Sequence, residues 1–275
     1  MYRVLPLLLG VFLFGHCIAQ ETDWEANQLK GKVRSFTHLE NYRYKRTGQR
    51  TDWEILYNKK YSFDHAGRYT ETATLNPAGG TSYKITYTYD KKANAATIRY
   101  IDKDEDQTKQ NQWIYNDKGQ RITNQEYTKD NQPDWRYTYT YDSKGNKATM
   151  ESYRPDGSLY SKTTYTYDAN GYESGYLLKT TGYANSGRSY INDSKGNKTE
   201  EIWLNGKNEA NFRFVRTYDS NGNVTEELKY KGRDRLLDKT SWKYEYDKKN
   251  NWIKRTQYSS DGVEYDITER KIVYY

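Results

Sequence analysis

The chain has 275 residues, with 44 basic and 37 acidic side chains and a formal net charge of +7. The charges are interspersed, which argues against a nucleic-acid-binding surface, and the one cysteine, Cys17, leaves no intrachain disulfide. Mean hydropathy is −1.21, a value typical of disordered chains, yet the 31 tyrosines recur periodically and predict an ordered fold.

The first predicted element is a secretory signal peptide at residues 1–19. Arg3 precedes an apolar run at residues 4–14 that is too short to span a membrane, and Cys17 and Ala19 are suitably placed for cleavage after Ala19. A lipid anchor on Cys17 is the alternative, although His16 departs from the small residue expected before it. No later stretch has the length of a transmembrane helix. We therefore expect a periplasmic, outer-surface or extracellular protein.

Residues 20–54 are predicted to form an N-terminal strand and cap region, because they fit the later repeat poorly. Residues 29–33 indicate the start of a strand, and residues 53–57 indicate another. An atypical first unit is typical of the cap of a repeat array.

Residues 55–275 consist of a tyrosine-rich motif repeated about every 26 residues. Each copy has an anchor residue, and successive anchors are 25 to 28 residues apart. The anchors are Asp64, Asp90, Asn116, Asp142, Asp168, Asp193, Asp219 and Asp247.

Each copy predicts a β-hairpin. Aromatic residues stand mostly one and three positions before the anchor with a polar residue between them, which indicates a half-buried strand. Three positions after the anchor, glycine in six copies marks a tight turn with positive φ; Ala93 departs from this rule. A second turn follows about 13–15 residues after the anchor. One copy cannot bury enough apolar surface alone, so the predicted fold is all-β: an elongated antiparallel sheet of repeated β-hairpins, curled or spiralling, in a single array.

The motif Tyr-x-Tyr-Asp-x-x-Gly-Asn, as in YTYDSKGN at residues 139–146, resembles the YD or RHS repeat of bacterial surface and toxin proteins. The resemblance covers residues 55–275. It implies a spiral of β-hairpins, which in large members of the family forms a shell around a toxin. This chain is far shorter, and Asn often replaces the Arg that usually follows the turn glycine. The resemblance therefore implies fold and export, and no enclosed cargo is expected.

The sequence predicts no catalytic, cofactor-binding or metal-binding residue. His38 and His65 have no identifiable partner for a nucleophilic triad, and the acidic run at residues 102–106 lacks the glycine and distal Glu of a calcium loop. The repeated Asp anchors are explained as turn residues.

Aromatic side chains are the remaining candidates for ligand contact. The tryptophans in phase with the tyrosine face, such as Trp113, Trp135 and Trp242, are interpreted as core. An exposed aromatic ladder can instead stack on sugar rings or peptides. The candidate stacking residues are Trp203, Trp252, Tyr153, Tyr230 and Tyr258.

The leading functional hypothesis is a non-enzymatic exported module that binds a protein or a glycan. A carbohydrate hydrolase using Asp and Glu pairs and a purely structural spacer remain the alternatives. No partner and no cofactor is identified by the sequence.

Overall fold

The computed structural model describes residues 22–44, 50–76 and 78–275, without the side chains of residues 42–44 and 50–57. The predicted signal peptide at residues 1–19, with Cys17, lies outside the described residues. One short helix and 18 strands make up the described part of the chain.

The elements follow one another without long connections. They are α1 (Asp23–Ala26), β1 (Val33–Tyr44), β2 (Arg50–Phe63), β3 (Tyr69–Leu75), β4 (Thr81–Asp90), β5 (Ala95–Asp102), β6 (Gln107–Tyr115), β7 (Arg121–Thr128), β8 (Pro133–Tyr141), β9 (Lys147–Tyr153), β10 (Leu159–Tyr167), β11 (Glu173–Thr180), β12 (Ser186–Asn192), β13 (Lys198–Leu204), β14 (Ala210–Tyr218), β15 (Val224–Lys231), β16 (Arg235–Tyr246), β17 (Trp252–Tyr258) and β18 (Glu264–Tyr274).

The sheet closes into an 18-stranded antiparallel barrel. Each strand pairs with its neighbours in sequence, and β1 pairs with both β2 and β18. The predicted elongated, curled or spiralling array is therefore wrong. The correction has a physical reason: β1 occupies the free edge of β18, so no edge strand is left with unpaired backbone groups.

The anchor residues form the predicted turns. At Asp64, the carboxylate accepts hydrogen bonds from the backbone N–H groups of Ala66 and Arg68, and Gly67 has a φ of 80°. Where the turn glycine is replaced by Ala93, the left-handed conformation moves to Asn94, with a φ of 47°. Because neighbouring strands are antiparallel, all eight anchor turns lie at the same end of the barrel, named here the anchor rim.

Tyrosine hydroxyls fasten each repeat to the one before it. A tyrosine of one copy donates to a backbone carbonyl oxygen 20 residues earlier, at 2.7–2.9 Å. The four donors of this kind are Tyr141, Tyr167, Tyr218 and Tyr244. Tyr246 instead reaches the anchor carboxylate of Asp219. This bonding gives the phenols a structural role.

The aromatic face of the sheet lines the lumen. Rings from strands that are not neighbours meet on this face: Tyr87 of β4 and Trp113 of β6 are 6.2 Å apart, and His38 of β1 and Trp252 of β17 are also 6.2 Å apart. Such contacts across an intervening strand require the concave side. Alternate positions, such as Thr140, are exposed and face outward.

The N-terminal segment, residues 22–32, packs onto the lumen wall at the anchor rim. The Trp24 backbone N–H donates to the Gly67 carbonyl at 3.2 Å, and the indole N–H of Trp24 donates to the Val33 carbonyl at 2.8 Å. Leu29 joins Val33 and Phe36 in a buried cluster on this wall. One end of the lumen is therefore partly covered by this segment.

We expect acid to unfold the barrel through the anchor turns. At Asp219, burial opposes ionisation, but the hydrogen bonds from Tyr246 and from backbone N–H groups hold the carboxyl pKa below its ordinary 3.8. The carboxyl pKa is lowered at five further anchors: Asp64, Asp142, Asp168, Asp193 and Asp247. A carboxyl with a lowered folded-state pKa stabilises the fold above its unfolded pKa, and this stabilisation is lost as pH falls through the folded value.

Circular dichroism during titration from pH 7 to pH 2 measures this loss, and we expect a steep transition below about pH 4. Asp219→Asn supplies the control, since removing the titrating group should lower the melting temperature more at pH 7 than at pH 3. An equal effect of Asp219→Asn at both pH values would contradict the assignment.

Candidate functional site

A cavity of about 640 Å³ lies in the lumen beside the N-terminal segment. It is named here the lumen cavity. Its lining combines aromatic rings with basic side chains from strands β13 to β18. The residues around it are Gln28, Gly196, Lys198, Arg216, Tyr218, Gly222, Asn223, Val224, Glu227, Trp242, Tyr244, Trp252, Arg255 and Arg270.

Arg270 is placed in the lumen cavity by the alternation of β18. It pairs with His38 on β1, and its guanidinium lies 3.5 Å from the centre of the Trp252 ring. The guanidinium donates one long hydrogen bond, 3.4 Å, to the Asn27 carbonyl, while its buried Nε has no hydrogen-bond partner. Burial, followed by the charge of Arg255, lowers the Arg270 pKa to about 9. Arg270 therefore remains a cation at neutral pH without an ion-pair partner among the described residues.

Arg255 faces the same space from β17. It donates to the hydroxyl of Thr268 at 2.9 Å, and the nearest carboxylate, that of Asp266, is 3.9 Å away. The buried Nε of Arg255 also lacks a partner. Asp266 also accepts a hydrogen bond from Thr268. Because its 3.9 Å contact with Arg255 is too long for a hydrogen bond, Asp266 neutralises Arg255 only in part.

Arg216, by contrast, is fully paired. Its guanidinium contacts Glu227 at 2.7 Å and Glu201 at 2.9 Å. Positive charge that is not fully compensated in the lumen cavity lies at Arg270, which has no ion pair among the described residues. It also lies at Arg255 and Lys198, whose nearest carboxylates are 3.9 and 3.7 Å away. Two guanidinium groups with unused N–H donors are suited to binding a carboxylate, sulfate or phosphate group.

One pair of carboxyl groups, Glu40 and Asp266, lies next to Arg255 and Arg270. The neighbouring His38 adds no negative charge that would compensate the two guanidinium groups. Burial, with the charges of Arg270, Arg255 and Lys59, lowers the His38 pKa to about 4, so this imidazole is neutral at pH 7. Burial and a hydrogen bond to Asp266 raise the carboxyl pKa of Glu40. The two carboxyl groups are in hydrogen-bonding contact, which is closer than the separation of roughly 5 Å or more found in glycoside hydrolases.

Trp252 and Trp203 are the two predicted stacking residues that face the lumen. Trp252 lines the lumen cavity beneath Arg270. Trp203 lies further round the wall, where Arg188 stacks on its ring at 4.4 Å and Glu201 accepts its indole N–H at 2.7 Å. The structure therefore places Trp252, but not Trp203, at the candidate site.

The three predicted tyrosines lie on the outward face, away from the lumen cavity. Each is stacked beside a cation from a neighbouring strand, at 4.6–5.1 Å. The pairs are Tyr153 with Arg136, Tyr230 with Arg213, and Tyr258 with Lys243. A stacking role for these tyrosines stays a prediction.

Arg255 and Arg270 were not predicted from the sequence. A usable signal was present, since Arg270 precedes Ile272 and Tyr274 in the inward phase of the last strand. Among the described residues, no group of three or more His, Cys, Asp or Glu side chains is arranged to hold a metal ion. No helix in the described ranges is long and apolar enough to cross a membrane.

No protein-family model matches the chain, and no curated protein matches it. Among solved structures, a porin-like protein from Bacteroides uniformis is 13% identical, with 89% of this chain and 99% of that chain aligned and a TM-score of 0.50. A porin-like protein from Bacteroides vulgatus is 12% identical over 88% and 98% of the two chains, with a TM-score of 0.43.

A third similarity is to the Photorhabdus luminescens Tc holotoxin pore. It is 11% identical over 82% of this chain and 18% of that chain, with a TM-score of 0.31. At these identities the Bacteroides uniformis structure shows a shared fold and nothing about function, and the other two carry no further argument. The resemblance to YD repeats stays a prediction.

Proposed function

We propose that the protein is a non-enzymatic exported binding protein that holds an acidic glycan in the lumen of its barrel. The observation that supports this most directly is the pair Arg255 and Arg270, whose buried Nε atoms have no hydrogen-bond partner. An unpaired buried donor costs about 1–3 kcal/mol, and more when it is charged. A bound anionic group offsets part of that cost by compensating the charges of the two guanidinium groups.

The shape of the site favours a sugar over a protein as the ligand. A cavity of about 640 Å³ is within the range of small-ligand pockets, roughly 300–1,000 Å³, and a folded protein does not fit inside it. Trp242, Tyr244 and Trp252 provide the flat apolar surfaces on which sugar rings stack.

The outward face supports a barrel that is surrounded by water. Ion pairs lie on that face between neighbouring strands: Glu151 with Lys162 at 2.8 Å, and Glu200 with Arg213 at 2.7 Å. Lipid-facing strands carry an apolar band instead. With the predicted signal peptide, this favours a periplasmic or surface-attached binding protein.

The hydrolase alternative has weaker support. Glu40 and Asp266 are the carboxyl pair nearest Arg255 and Arg270, and their direct contact leaves no room for a sugar between them. The spacer alternative does not account for the buried Nε atoms of Arg255 and Arg270, which have no hydrogen-bond partner.

Calorimetric titration with uronic-acid and sulfated fragments of two to four sugars tests the proposal. We expect Arg270→Gln to weaken binding about tenfold to a hundredfold, since a hydrogen bond to a charged group contributes roughly 1.5–3 kcal/mol. Arg99→Gln is the matched control, because Arg99 is exposed on the outward face of β5.

Arg255→Gln provides a second test if Arg270→Gln alters the fold. Equal affinity in wild type and both lumen variants, or no binding of any acidic fragment, would sink the proposal. Turnover of the bound sugar would favour the hydrolase alternative instead.

A further inference from the structure

A second set of unpaired polar atoms lies on another part of the lumen wall. The indole Nε1 of Trp113 and the side-chain oxygens of Asn111 and Asn124 are buried without hydrogen-bond partners. Trp113 and Asn111 belong to β6, and Asn124 belongs to β7. Their inward direction follows from the ring contact between Trp113 and Tyr87 across β5.

The strand register brings these groups together. Asn124 pairs directly with Trp113, and Asn111, two residues before Trp113, pairs with Glu126. Cross-strand partners share a face, so the three unpaired atoms belong to one patch of wall. It is named here the amide patch.

The amide patch differs from the arginine site in the groups that it leaves unpaired. Lys109 and Glu126 form an ion pair beside Asn111. Arg121 lies over the Trp113 ring at 4.5 Å and occupies one of its faces. What the patch offers a ligand is therefore one N–H donor and two carbonyl acceptors.

Neutral hydroxyl groups match this set, because a hydroxyl both donates and accepts. A buried polar group without a partner destabilises the protein, so a ligand hydroxyl that hydrogen-bonds to such a group is favoured. A carboxylate fits poorly, because it has no proton to donate to the two Asn oxygens.

A continuous row of aromatic rings connects the amide patch with Arg270. Successive ring centres are 4.6 to 6.2 Å apart, and Arg270 lies over the first ring at 5.0 Å. The rings of this row are Phe36, Tyr61, Tyr69, Tyr87 and Trp113.

We propose that the amide patch is a binding site for an uncharged sugar unit, separate from the arginine site. The choice of a sugar rests on the proposed function, whereas the site itself rests on the three unpaired atoms. Its ligand class is a neutral, hydroxyl-bearing ring.

Neutral trisaccharides of glucose, galactose, mannose and xylose are the probes, titrated by calorimetry. We expect at least one to bind, and Asn124→Leu to weaken that binding at least tenfold. Asn58→Leu is the matched control, because Asn58 also has a buried unpaired side-chain oxygen but pairs with Leu39 on the outward face. Both variants should keep the wild-type melting temperature to within a few degrees, which separates lost binding from lost folding.

Arg270→Gln separates the two proposals. Neutral sugar binding that survives Arg270→Gln and is lost in Asn124→Leu supports the amide patch, whether or not acidic fragments bind. If no neutral trisaccharide binds wild type, the three groups are satisfied by buried water and the inference is overturned. Equal binding by Asn124→Leu and wild type overturns it as well.

Discussion

Phe36→Ala is expected to lower the free energy of unfolding by about 3–5 kcal/mol, the range for removing a buried phenylalanine side chain. Phe36 is 1% exposed and stacks on Tyr61 at 4.6 Å between ring centres. It also belongs to β1, the strand that joins β2 to β18. Its loss therefore leaves a cavity at the place where the barrel closes.

Urea unfolding followed by tryptophan fluorescence measures this effect. Tyr183→Ala is the control, because Tyr183 is 70% exposed in a turn, and we expect a change within about 0.5 kcal/mol for this variant. A loss under 1 kcal/mol for Phe36→Ala would show that β1 contributes little to the stability of the barrel.

Gly67→Ala is the second large effect that we expect, at about 2–4 kcal/mol. The φ of 80° already disfavours a side chain, and a Cβ at Gly67 would lie 2.6 Å from the Trp24 ring. Either the turn or the N-terminal segment must move. We expect the Trp24 side chain to move away from the lumen wall. Trp24 lies outside the sheet, whereas the turn at Gly67 is fixed by strands β2 and β3 on either side.

Gly119→Ala isolates the backbone-strain part of this effect, so the difference between the two variants gives the packing part. Gly119 has a φ of 76° in an equivalent anchor turn, and a Cβ there meets nothing within 4 Å. It should cost only the backbone strain, roughly 1 kcal/mol. Thermal unfolding gives the stabilities, and proteolysis of residues 22–32 reports release of the segment. Equal losses in the two variants would refute the role of Trp24.

The strands and turns of this protein are predictable from its sequence, because each repeat contains the residues that determine its own hairpin. Asp64 and Gly67 form the turn that their spacing indicates, and the in-phase aromatics point to one side of the sheet. Closure was not predictable in the same way. Closure depends on the total twist and coiling of all the strands, which together bring β18 next to β1. A short sequence motif does not specify this total.

The candidate site was predicted only in part, for a similar reason. Trp252 was identified as an aromatic outside the repeated tyrosine positions, and it lines the lumen cavity. Arg255 and Arg270 do not stand out in the sequence, because where charges are interspersed an arginine is most simply explained as solvent-exposed. Their burial follows from the closed lumen, which requires the tertiary fold to be known.

The 26-residue repeat also gives the barrel a unit of growth. Each copy adds two strands and fastens itself to the copy before it, as Tyr244 does by donating to the Val224 carbonyl. Barrel diameter increases with strand number. Duplication or loss of one copy would therefore widen or narrow the lumen in fixed increments while β1 and β18 still meet. The same repeat can thus produce barrels whose lumens differ in width, each selecting ligands of a different size.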